Sequence, residues 1–75
     1  MRTEEEVFKD FEKLGYKIRR NNTFQYIALI CDTETNLGII IYLNTKVYEF
    51  NGVEMYLDMQ EHKLLNELFQ IWGWL

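Results

Sequence analysis

The chain has 75 residues, 48% of them apolar, and a net charge of −4, with a single His, a single Cys and no Pro. That length makes one domain, residues 1–75. The side-chain inventory excludes a disulfide framework within the chain, a two-histidine metal site and, for want of a glycine-rich run, a phosphate cradle.

The first predicted element is a helix over Glu4 to Leu14. Thr3 is a good N-cap with Glu6 at the capping-box spacing. Glu4, Glu5 and Glu6 sit where the helix dipole favours negative charge. Val7, Phe8, Phe11 and Leu14 form one apolar stripe, and Gly15 stands where a left-handed cap is wanted. A strand-rich middle follows. Tyr16 to Arg20 alternates, with Tyr16 and Ile18 opposed to Lys17 and Arg19. Asn21-Asn22 signals a turn, Phe24 to Cys31 the next strand, and Asp32 to Asn36 a polar connection. Leu37 to Leu43 carries three consecutive Ile, which favour a strand. Asn44-Thr45 is a tight turn, and Lys46 to Phe50 the fourth strand. Asn51-Gly52 is the strongest short hairpin signal, with Val53 to Tyr56 as a short partner strand. The last element is a helix capped by Asp58, with Glu61 at the capping-box spacing. Its stripe is Leu65, Leu68, Phe69 and Trp72, widened by Leu64 and Ile71, and it ends at Gly73.

The order α-β-β-β-(β-β)-α, linked by hairpins, implies an α+β fold: an antiparallel sheet with N- and C-terminal helices on it, a two-layer α/β sandwich. One feature of the strands does not fit a sheet covered on one side. Ile27, Leu29 and Cys31 point one way, and Tyr26, Ala28 and Ile30 the other. Ile39, Ile41 and Leu43 oppose Ile40 and Tyr42. Helix-covered antiparallel sheets usually alternate apolar with polar residues. These strands are apolar on both faces, so both faces are expected to be covered. Three coverings compete: a helix on each side or other internal cover, a second copy of the chain, and a foreign partner.

Candidate chemistry is sparse. His62 has no second ligand at metal spacing and reads as a helix surface residue. Cys31, in an apolar strand, reads as a small hydrophobe, and nothing local supports a Cys31–His62 dyad. No catalytic residue, metal site or cofactor is expected. Glu4, Glu5, Glu6 and Asp10 could mimic phosphates, but read first as compensation of the helix dipole. Residues 9–20 hold Lys9, Lys13, Lys17, Arg19 and Arg20 against Asp10 and Glu12, a local +3, while the remainder carries −7. This basic segment is the alternative site, for nucleic acid. It lacks an interleaved stacking platform, and the overall acidity argues against it. The closing IWGWL places Trp72 on the core stripe, and leaves Trp74 either folded back on the sheet or anchoring a partner.

No apolar run reaches the roughly 18 residues of a membrane span. The acidic opening MRTEEEV is not read as a signal peptide. A cytoplasmic location, in a reduced compartment, is expected. The ending MQEHKLLNELFQIWGWL and the opening EEEVFKDFEKLGYKI resemble small uncharacterised proteins encoded by phages and prophages of Gram-positive bacteria. That resemblance implies a context in which small proteins bind and inhibit host enzymes or defence complexes, anti-CRISPR proteins among them, and it assigns no residue a role. The expected function is therefore a non-catalytic protein-binding module that occludes a functional surface of a host bacterial protein. Its candidate binding residues are Tyr26, Tyr42, Tyr48, Trp74, Glu4 and Glu5. The alternatives are a nucleic-acid-binding accessory protein and a structural homo-oligomer, a homodimer in the simplest case.

Overall fold

In a computed structural model of the chain, residues 2–32, 37–51 and 57–75 are described. The element order is α1 (Glu4–Lys13), β1 (Lys17–Asn21), β2 (Tyr26–Asp32), β3 (Leu37–Tyr42), β4 (Val47–Asn51) and α2 (Met59–Ile71). The four strands form one antiparallel sheet in sequence order, β1-β2-β3-β4. The predicted segment Val53 to Tyr56 lies outside the described residues, as does Gly52 of the proposed hairpin.

Local chemistry sets the helix ends. Thr3 and Glu6 complete a capping box at the start of α1, and Asp58 accepts from the Glu61 amide, 2.8 Å away, at the start of α2. Both helices stop in the same way. Gly15 (φ 99°) and Gly73 (φ 76°) take the left-handed conformation just beyond the caps, which costs a residue without a Cβ little. The amide of the next residue then bonds back: Tyr16 to the Phe11 carbonyl at 3.1 Å, and Trp74 to the Phe69 carbonyl at 2.8 Å. In each case the aromatic ring that follows the glycine lies on the aromatic ring five residues back, Tyr16 edge-on to Phe11 and Trp74 stacked on Phe69. This is the Schellman ending with its apolar contact, used twice.

The strand bounds shift from those expected. Residues 22–25 and 43–46 are four-residue turns, and Gln25 (φ 55°) and Lys46 (φ 58°) carry the left-handed residue of each. The first turn is fixed by Asn21, whose side-chain oxygen accepts from the Phe24 amide at 2.9 Å, so Phe24 stands exposed in the turn and not in β2. Tyr16 precedes β1, and its ring is nonetheless buried.

Both helices lie on one face. The core joins Val7, Phe8 and Phe11 of α1 to Leu64, Leu65, Leu68 and Phe69 of α2 over Ile27, Leu29, Ile39 and Ile41 of the sheet. A helix on each side is therefore excluded. The shortest dimension, 18 Å, is that of one helix layer on one sheet. Polar groups lace the seam between the helices. Arg2 bridges Asp10 of α1 and Glu67 of α2, and this holds the Asp10 carboxyl below its usual range. Tyr16 donates to Glu61 at 2.7 Å; burial first, and then that carboxylate, push its phenol above its ordinary value.

Candidate protein-binding face

Strand pairing assigns the regularly paired residues to one face or the other. The helix-covered face is read in the rows Ile18, Leu29, Ile39, Phe50 and Arg20, Ile27, Ile41, Tyr48. The opposite face has three rows: Lys17, Ile30, Gly38, Asn51; Arg19, Ala28, Ile40, Glu49; and Asn21, Tyr26, Tyr42, Val47. Among the described residues, no helix packs on this second face. Its middle is apolar all the same. Ala28 and Ile30 are only 8% and 7% exposed, yet lie outside the core cluster. They form the floor of a groove of about 480 Å³, with Gly38 and Ile40 beside them and Arg19, Tyr26 and Tyr42 at its walls.

The groove is held in shape by its own groups. Tyr26 and Tyr42 meet edge to face with ring centroids 6.4 Å apart. Tyr42 donates to Glu49 across the β3–β4 pair at 2.7 Å, and that carboxylate keeps the phenol proton on above its ordinary range. Gly38 makes the floor tight, since a Cβ there would sit 2.1 Å from the Leu29 carbonyl oxygen. Beside it the β2–β3 register shifts between Ile30 and Asp32, a bulge at Cys31. The bulge corrects the reading of Cys31 as a small hydrophobe on the side of Ile27 and Leu29: the residue is exposed, and its thiol donates to the Leu37 carbonyl at 3.2 Å.

The expected binding residues divide into two groups on opposite sides. Tyr26 and Tyr42 share the open groove. Tyr48 and Trp74 lie on the helix side, where both rings flank Phe69 at 5.5 and 5.4 Å. Trp74 has folded back, and Trp72 lies 4.9 Å from it. Glu4 is engaged within the molecule: it accepts from the Trp72 indole at 2.7 Å and from Arg20 at 3.1 Å, tying α1 to α2 and β1. Glu5 is exposed on α1, where a shallow depression also takes in Lys9 and Glu12. Ile40, Ala28 and Ile30 belong to the open face and were absent from the expected set. Their signal was in the sequence, as the second apolar register of β2 and β3.

The basic segment divides as well. Lys9 and Lys13 ride on α1, with Lys13 3.8 Å from Asp10. Lys17 and Arg19 project on the open face, and Arg20 on the covered one, paired with Glu4. The five cations do not share one surface. His62 is exposed in the first turn of α2. Among the described residues, no three His, Cys, Asp or Glu side chains converge as a metal site, and no helix is long and apolar enough to cross a membrane. The chain matches no protein-family model, no curated protein and no solved structure.

Proposed function

We propose that the chain is a non-catalytic protein-binding module that works through the open face of its sheet. One observation carries this reading: Ala28, Ile30 and Ile40 form an apolar strip on the face that neither helix covers, framed by two tyrosines. An apolar strip rimmed by polar groups, on a face that no helix packs against, is the usual form of a contact surface. Tyr26 and Tyr42 suit such a face, since a tyrosine ring buries much area with few rotors and keeps a polar tip.

The test is site-directed photo-crosslinking in the cell that encodes the protein. A photoreactive phenylalanine at position 42 is expected to capture a protein, and the same residue at position 9, on the outer side of α1, to capture none. Equal capture from both positions, or none from position 42, refutes the reading.

A further inference from the structure

We propose that the occupant of the open face is a second copy of this chain, related by a two-fold axis running close to the strand direction. The inference rests on the binding role just assigned to that face and names its partner.

The three rows of the face are self-complementary under that one operation. A two-fold axis along the strands lays β1 over the partner's β4 and β2 over its β3, row upon row. In the central row Arg19, Ala28, Ile40, Glu49, Arg19 then meets the partner's Glu49, and Ile40 meets the partner's Ala28. In the next row Ile30 meets the partner's Gly38, where there is no side chain. In the third row Tyr26 meets the partner's Tyr42. The two isoleucines, Ile30 and Ile40, each face a small residue, Val47 faces the partner's Asn21, and each cation on the rim faces an anion or an amide. Sheets that pack face to face hold their strands within about 30° of one another, which leaves this pairing of rows in place.

The alternative two-fold, across the strands, lays β1 over the partner's β1. With the central rows superposed, that sets Arg19 of one copy on Arg19 of the other and Glu49 on Glu49, like-charge contacts that disfavour association. Charge selects the first arrangement and the alternation of large with small residues supports it.

Size sets the strength. Four strands spaced about 4.8 Å apart, with five residues each at about 3.3 Å, present a face of roughly 19 by 17 Å. That is small beside the ~800 Å² per partner of a stable complex, so the dimer is a weak one, governed by concentration.

The experiment is sedimentation of the purified chain from about 1 µM to about 1 mM, with R19E, E49R and the double variant. Within one chain these two positions lie three strands apart, about 14 Å, beyond the ~8 Å screening length at physiological salt. Coupling between them therefore reports a contact between copies. The wild type is expected to pass from monomer to dimer over this range. Each single swap replaces two attractive contacts by two repulsive ones and weakens the dimer about tenfold or more. The double swap restores it, because the pairs are exchanged across the axis. Both positions are exposed, and circular dichroism checks that all variants fold. A wild type monomeric throughout, a dimer indifferent to the single swaps, or a double variant no better than the singles overturns the proposal. If the wild type is monomeric and the crosslinker at position 42 captures a different protein, the dimer falls and the binding role stands. If it captures nothing, both fall.

Discussion

Two faces of one sheet, built from alternate residues of the same strands, meet opposite fates in this molecule. On one, Ile27, Leu29, Ile39 and Ile41 are fully buried under α1 and α2. On the other, Ala28, Ile30 and Ile40 floor an open groove. The covered face sets four large aliphatics in its middle, while the open face pairs Ile30 with Gly38 and Ile40 with Ala28. The rims differ as well. The covered face is flanked by groups the helices can use: Tyr16 bonds to Glu61, and Arg20 to Glu4, which also holds Trp72. The open face is flanked by Lys17, Arg19 and Glu49, which have long, charged ends suited to water or to an oppositely charged rim. Burial under the helices on the first face builds the fold; the second, with no helix packed on it among the described residues, is the face proposed to bind.

The widest separation between the faces comes from adjacent residues of β3. Ile41→Ala on the covered face removes buried volume and is expected to cost about 2–5 kcal/mol. Ile40→Ala on the open face is expected to cost under about 1 kcal/mol in dilute monomer. Urea unfolding at low concentration measures both, and equal losses would erase the distinction between the faces. Next is Gly38→Ala, whose Cβ would press on the backbone of Leu29 and Ile30. It should destabilise by about 1–3 kcal/mol although it lies on the open face, which separates strain in the β2–β3 pair from loss of burial. Gly73→Ala is smaller, about 1 kcal/mol, from forcing a side chain into a positive φ. It should also loosen Trp74 from Phe69, visible as a red-shifted tryptophan emission.

Smallest at neutral pH is Tyr16→Phe, which gives up the bond to Glu61 for about 1 kcal/mol. Its signature is in the pH dependence. The phenol of Tyr16 is raised in the folded protein, so its contribution is complete below the ordinary tyrosine value near 10 and is lost as pH climbs above it. The variant should flatten the alkaline limb of a stability profile. Asp10, held low by Arg2, works in the opposite sense: its contribution is present above the usual carboxylate range and disappears as acid protonates it. Asp10→Asn should flatten the acid limb, and an unchanged profile would show that Arg2 does not hold the helix seam.

Much of the fold was legible before any coordinates. The caps at Thr3 and Asp58, the stops at Gly15 and Gly73 and the four strands are local events, governed by side chains within a turn or two. The apolar second register of β2 and β3 also implied cover on both faces, without saying whether a helix, a second copy or a partner supplies it. The errors were local in a different way. Phe24 was drawn into β2 by its β-propensity, until the Asn21 side chain claimed its amide for the turn. Cys31 was read as a small hydrophobe on the side of Ile27 and Leu29 by strict alternation, which a single-residue bulge interrupts. The place of Trp74 was left open between folding back and anchoring a partner, yet it was readable: Gly73-Trp74 after Phe69 repeats the pattern of Gly15-Tyr16 after Phe11, and both rings fold back.

The amino-acid order by itself determined the elements, their ends and the two-sided greasiness of the central strands, because each depends on neighbours close along the chain. Only tertiary packing decided that both helices share a face, that Glu4 is consumed by Trp72 and Arg20, and that the cations between residues 9 and 20 scatter over three surfaces. Those outcomes depend on groups far apart in the chain, such as Glu4 and Trp72, whose meeting is set by how the helices lie and leaves no periodic trace in the sequence.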